Sequence, residues 1–275
     1  MPHSKLGILA GGGMLPVLVR DACLSLKKPF HVVVFDGQGD PAQFADDSHA
    51  VIRLGAGGET VKNLKSKGCD TLVMAGSIRR PGLKELRPDW WGIKFFASSG
   101  AAALGDDGLL AALIKALEGE GFGVIGADEL LPDYLMPKGI VGKIQPTAAQ
   151  SSDIVLAVKA AKELGIRDAG QAAVVRGGEI ISEEQADGTD AMLKRLAGQG
   201  NAGGIMAKTL KPGQERRADL PTIGPETIIN AKACGLDGIV IEAGNAFLID
   251  RRGTAALADE QGLFLVGVDA DGVWQ

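Results

Sequence analysis

Apolar residues in the first half of the chain fall in short continuous runs, each closed by glycine. Lys5 to Ala10 (KLGILA) runs into Gly11-Gly12-Gly13, Phe30 to Phe35 (FHVVVF) into Asp36-Gly37, and Thr71 to Ala75 (TLVMA) into Gly76. Between them, Met14 to Leu26 carries Leu15, Leu18, Val19 and Ala22 at helical spacing, and Val61 to Lys67 also reads as a helix. Unbroken apolar strands separated by helices predict a parallel sheet covered on both faces. Leu109 to Glu118 is a strongly amphipathic helix with Asp106 and Asp107 before it, where carboxylates suit the N-terminal dipole. Phe122 to Ile125 completes the set of strands, and Ala127 to Leu131 follows as a helix.

The pattern then breaks. Leu131 to Gly139 holds two prolines, Pro132 and Pro137, and admits no regular element. The second half restarts with a helix at Ser152 to Leu164, and Ala172 to Arg176 and Glu179 to Ser182 flank Gly177-Gly178 as a hairpin. Helices at Thr189 to Leu196 and Thr227 to Cys234 alternate with strands at Gly204 to Thr209, Gly238 to Glu242, Ala246 to Ile249 and Leu263 to Val268. The expectation is an α/β protein in two parts. Residues 1–133 form a Rossmann-like parallel-sheet domain, 134–145 a linker, and 146–275 an α+β domain expected to be catalytic.

Composition narrows the function classes. A net charge of −5 over 275 residues argues against a nucleic-acid surface, which needs a basic excess. The three cysteines, Cys23, Cys69 and Cys234, are far apart and form no CxxC, so neither a disulfide framework nor a thiolate zinc site is indicated. A reducing cytoplasm suits them. No apolar stretch reaches the ~20 residues of a membrane span. All three histidines lie at or before position 49, which removes Ser-His-Asp and Cys-His chemistry from the second half.

The candidate ligand groups sit at the ends of the strands. Gly11, Gly12 and Gly13 precede a helix, where bare amides hold an anion. The dinucleotide fingerprint fails, however, because Pro16 stands at its third glycine. A plain turn, a nucleotide or sugar site, and an NAD site using Asp36 all remain open for this loop. Gly76-Ser77-Ile78-Arg79-Arg80 also follows a strand and offers two guanidinium groups, suited either to phosphate or to solvent. Trp90-Trp91 beside Phe95-Phe96 fits core packing better than an acyl-chain groove. In the second half, Asp187 and Asp190 lie in ISEEQADGTDAM. Asp219 adjoins Arg216 and Arg217, with Lys208 and Lys211 shortly before. Hard carboxylate oxygens beside cations match the needs of pyrophosphate hydrolysis, in which phosphoryl charge must be neutralised.

Six segments in order carry a resemblance: KLGILAGGGxLP, AGSIRRP, GDDGLL, GTDAML, the Lys208-to-Pro225 run KxxKPxQxxRxDLPTIGP, and GLFLVG. Together they resemble the bacterial UDP-2,3-diacylglucosamine pyrophosphatases of the LpxI type, across nearly the whole chain. The resemblance implies magnesium-assisted hydrolysis of UDP-2,3-diacylglucosamine to UMP and 2,3-diacylglucosamine 1-phosphate (lipid X) in lipid A synthesis. It implies two domains with lipid bound between them, and a cytoplasmic protein peripheral to the inner membrane; the chain's size suits a homodimer. Asp219, Lys208 and Arg217 are the expected catalytic residues. Gly11, Gly12, Gly13, Gly76, Arg79, Arg80, Asp106, Asp107, Arg216 and Thr222 are expected to bind substrate, and Asp219, Asp190 and Asp187 to hold Mg²⁺. Two rivals stay in view: an NAD-dependent oxidoreductase, and a sugar-nucleotide or lipid-binding protein without turnover.

Overall fold

A computed structural model describes residues 4–79, 82–100, 105–185, 187–197 and 203–274. The chain forms two compact units, but not by a single cut. The first comprises residues 1–132 together with 215–219; the second comprises 133–214 and 220–275.

In the first unit β1 (Lys5–Ala10), α1 (Leu15–Ser25), β2 (Phe30–Phe35), β3 (His49–Ile52), α2 (Gly57–Ser66) and β4 (Cys69–Ala75) follow one another. After them come α3 (Leu83–Leu86), α4 (Trp90–Ser99), α5 (Asp106–Gly119) and β5 (Gly123–Ile125). The five strands pair in the order β3-β2-β1-β4-β5, all parallel. The chain winds outward from β1 to β3 and then returns to lay β4 on the other side of β1. The switch point of this Rossmann-like sheet therefore lies between β1 and β4, where such sheets open a crevice at their carboxyl ends. Leu9, Val33 and Leu72 pack with Val61 and Leu64 of α2 and Ile114 and Leu117 of α5, so the continuous apolar runs are explained by helices lying on the sheet.

His31 lies inside β2, fully buried. Neutral imidazole satisfies its surroundings: Nε2 donates to Asn63 Oδ1 at 2.8 Å and Nδ1 accepts from Ser48 Oγ at 2.8 Å. Burial pushes its pKa down, against the opposing pull of the Asn63 hydrogen bond. The unfolded chain takes up this proton at about pH 6.5, the folded chain only at lower pH. The neutral-His31 contribution to stability is thus complete above about pH 6.5 and is lost as pH falls below it. Denaturant midpoints are expected to drop between pH 7 and 5.5, and His31→Gln to flatten that slope; an unchanged slope in the variant would assign the effect elsewhere.

The second unit holds β6 (Gly139–Ile140), α6 (Ser151–Ile166), β7 (Ala172–Arg176), β8 (Glu179–Glu183), α7 (Thr189–Ala197) and β9 (Ile205–Lys208). It continues with β10 (Thr222–Ile223), α8 (Pro225–Ala233), β11 (Gly238–Glu242), β12 (Phe247–Leu248), α9 (Arg251–Gln261) and β13 (Phe264–Val268). Six strands pair in the order β6-β13-β11-β9-β7-β8, with β13, β11 and β9 parallel and the outer strands antiparallel. Alternation divides its side chains. Met206, Ile239 and Ile241 meet α7, α8 and α9, while Ile205, Ala207 and Val240 meet α6.

The mixed α+β second half and its Gly177-Gly178 hairpin agree with expectation. The stretch 134–145 does not behave as a linker: it supplies β6, whose Ile140 and Gly139 register against Val266 and Gly267 of β13. Two prolines do not prevent this, because a two-residue edge strand asks little of the ladder. Ala127–Glu129 is a single 3-10 turn rather than a helix. The Trp pair is divided. Trp91 stacks on Phe95 with centroids 5.7 Å apart and donates Nε1–H to Glu120 at 2.9 Å. Trp90, beside it on α4, is 80% exposed. Among the described residues no helix is long and apolar enough to cross a membrane.

Candidate functional site

The loops after β1, β2 and β4 converge at the switch point through their backbones. Gly12 N donates to Ser77 O at 2.8 Å and Ser77 N returns a bond to Gly12 O at 3.0 Å, while Gly11 N donates to Ala75 O at 2.9 Å. Gln38, after β2, accepts from Arg79 N through Oε1 at 2.8 Å. Two glycines are needed here for different reasons. At Gly76, φ is +89° and a Cβ would lie 2.5 Å from Gly12 O, so both conformation and space require glycine. At Gly13, φ is +86° but a Cβ would meet nothing within 4 Å, so only the conformation does. Gly11, Gly12, Gly13, Gly76 and Arg79 therefore form one structural group. Arg80 lies outside the described residues.

A second group arrives from far along the sequence. Residues 215–219 leave the second half and belong to the first unit, and Ala218 packs against that unit's core. The backbone closes tightly there: Ala218 N and Asp219 N both donate to Glu215 O, at 2.9 and 3.2 Å. Arg216 Nη2 pairs with Asp128 Oδ2 at 2.9 Å, just past the carboxyl end of β5. Arg217 spreads its guanidinium over two carboxylates. Nε and Nη2 fork onto Glu215 at 2.9 and 2.8 Å, and Nη1 reaches Glu118 of α5 at 2.7 Å. Hydrogen bonds donated to these carboxylates raise the Arg217 pKa further, and Arg217 in turn holds the Glu215 carboxyl below its ordinary range. Asp219 ends the segment and is exposed.

The remaining candidates stand on other elements. Lys208 closes β9 in the second unit, in register with Ile241 of β11. Beyond it, Leu210 N donates to the buried Glu242 at 3.1 Å. Thr222 lies on β10, its hydroxyl donating to Leu220 O at 3.2 Å. Asp107 stands in the first turn of α5, whose N-cap is Gly105; Asp106 opens that helix, and its side chain lies outside the described residues. Of the carboxylates expected to hold a metal, Asp187 is ion-paired with Arg195 and Asp190 accepts from Asn230 Nδ2 at 3.2 Å. No three His, Cys, Asp or Glu side chains gather as a metal-holding group among the described residues.

The cations differ in commitment. Arg216, Arg217 and Lys211 (to Asp168, 2.9 Å) are each ion-paired, whereas Arg79 and Lys208 have no ion pair among the described residues. The partners Glu118, Asp128 and Glu215 were missed by sequence reasoning. Glu215 is two residues from Arg217, but Glu118 is 99 residues away, and no local pattern announces such a pair. A cavity of about 340 Å³ in the second unit, lined by Ile140, Gln145, Pro146, Ala148, Ser151 and Trp274, contains no charged side chain and does not suit a pyrophosphate.

Fold and loops together define an α/β protein with a Rossmann-like sheet, loops that meet at its switch point, and the segment 215–219 delivered to the same unit. Family models agree along nearly all of its length: the LpxI N-terminal domain matches residues 5–134 and the LpxI C-terminal domain residues 137–266. The chain belongs to the LpxI family. It is 41% identical over 274 residues to the UDP-2,3-diacylglucosamine pyrophosphatase LpxI of Caulobacter vibrioides, covering 96% of this chain and 98% of that one.

Proposed function

We propose that the protein hydrolyses UDP-2,3-diacylglucosamine to UMP and 2,3-diacylglucosamine 1-phosphate, a step of lipid A biosynthesis. The observation that carries this reading is the 41% identity to a protein of that name along almost the whole of both chains. The site's chemistry supports it. Water adds across the P–O–P linkage: one P–O bond forms, the bridging P–O bond breaks, and one proton must leave the attacking water. Asp219 is the carboxylate assigned to the reacting centre. The Arg79 side chain, beside the β1–α1 turn, binds phosphoryl oxygens, and Lys208 offsets charge that develops as the linkage opens.

Magnesium fits as an ion that arrives with the pyrophosphate. Mg²⁺ keeps several waters and commonly takes one or two carboxylates plus substrate phosphates rather than an all-protein cage. Asp187 and Asp190 are engaged by Arg195 and Asn230, which suits this, and Asp219 would be the protein's ligand. The ion would neutralise phosphoryl oxygens. The acyl chains of the substrate place the protein in peripheral contact with the inner membrane, and a homodimer belongs to the same reading.

Incubation with UDP-2,3-diacylglucosamine and Mg²⁺ is expected to release UMP and the sugar 1-phosphate in equal amounts. Substrate binding without UMP would leave a carrier in place of an enzyme. A thermal shift with NADH, and none with the UDP-sugar, would point to the oxidoreductase.

A further inference from the structure

We infer that Arg217 is a positioning residue, and that the Glu118–Arg217–Glu215 triad is a clasp that fixes Asp219 on the first unit. This rests on the reading that Asp219 serves the reaction. Each link is geometric. Three N–H groups of the guanidinium are committed: the Nε/Nη2 fork to Glu215 ties residues 215 and 217 into one turn, and Nη1 ties that turn to α5 through Glu118. The Arg217 backbone amide also reaches Glu215 Oε1 at 3.3 Å. Two carboxylates against one guanidinium leave the triad with a net charge of −1, which repels a pyrophosphate. A cation so committed has little charge left to offer phosphoryl oxygens.

Single surface ion pairs contribute little, and forked, networked ones are the exception. Here the side chains of Arg217, Glu118 and Glu215 are 35%, 41% and 25% exposed. The clasp is reinforced by Arg216 on Asp128 and by Ala218 in the core. A Cβ at Gly126 would come 3.7 Å from Arg217 Cα, so the segment lies directly against the carboxyl end of β5. Asp219 is two residues beyond the anchor, and its amide is bound to Glu215 O. An error of about 1 Å in placing a reacting group costs on the order of 10²-fold in rate, so a clasp of this kind acts on kcat while leaving substrate affinity alone.

The test compares Arg217→Ala, Glu118→Ala and their combination in the UMP-release assay, with melting curves to confirm folding. Each single variant is expected to lose about 10- to 100-fold in kcat with KM within about twofold. The double variant is expected to be no worse than the worse single one, because both cut the same link. Glu118→Gln, which keeps an acceptor for Nη1, is expected to recover much of the loss. A raised KM in Arg217→Ala with Glu118→Ala silent would overturn the clasp and return Arg217 to the substrate. Hydrogen exchange at the Ala218 and Asp219 amides supplies a readout independent of activity. Exchange is expected to quicken in both single variants, and unchanged exchange would also overturn the clasp. Full turnover by Asp219→Ala would defeat the functional reading instead, leaving the exchange experiment to decide the clasp.

Discussion

Asp219→Ala is expected to lower kcat for UMP release by at least ~10³-fold, the scale of removing a principal base or electrostatic group from a reacting centre. The side chain is exposed, so the loss should come without unfolding. Surface substitutions usually move stability by no more than about 0.5 kcal/mol, and the melting temperature should hold within a few degrees. Two features make the expectation specific. The segment has other anchors in Arg217, Arg216 and Ala218. The neighbouring acidic groups cannot substitute, because Glu215 and Glu118 are held by Arg217 and Asp128 by Arg216. Near-normal turnover by this variant would remove Asp219 from the reaction.

The second large effect is expected at Gly76. Gly76→Ala places a methyl group against Gly12 O and Pro16 Cγ at 2.5 and 2.8 Å, in a backbone conformation at φ +89° that alanine rarely adopts. Positive φ alone costs on the order of 1–2 kcal/mol. The clash adds to that and pushes apart the two loops joined by the Gly12–Ser77 bridge. A combined loss of about 2–4 kcal/mol in stability is expected, with kcat/KM falling at least ~10²-fold as the crevice widens. Gly13→Ala is the internal control. It has a similar φ of +86° and empty space around a Cβ, so it should cost only the conformational part, about 1 kcal/mol, and leave the loop bridge intact. If both variants behave alike, the close approach at Gly76 is not what holds the crevice.

These two sites were legible in the sequence to different degrees. The β1, β2 and β4 strands declare themselves as apolar runs ended by glycine, because a strand buried on both faces has no polar alternation to obscure it. The crevice at their ends follows from topology, so Gly11 to Gly13 and Gly76 could be named in advance. β3 could not. His49-Ala50-Val51-Ile52 is an edge strand with a single buried residue, and nothing in four residues so mixed in burial distinguishes it from a loop. α4 was hidden for the opposite reason: its WWGIKFFASS is apolar almost all round, so helical periodicity barely shows, and Trp90 remains exposed although its composition reads as core. Asp219 is a candidate on the strength of its company of basic residues, and those bases differ in kind. Arg216 and Arg217 spend their charge on Asp128, Glu215 and Glu118, and only the fold brings Asp128 and Glu118 to them.

The five residues of 215–219 also bear on how the molecule can be taken apart. Family boundaries cut the chain once, between 134 and 137, as though it were two cassettes on a string. The compact units require three cuts, since the first is completed only after the chain has traversed most of the second. A fragment ending at Pro132 would lack the Ala218 packing and leave the carboxylates of Glu118 and Asp128 without Arg217 and Arg216. A single cut at the family boundary thus parts Arg217 from Glu118 and Arg216 from Asp128, and those pairs re-form only where the new partner supplies the same residues.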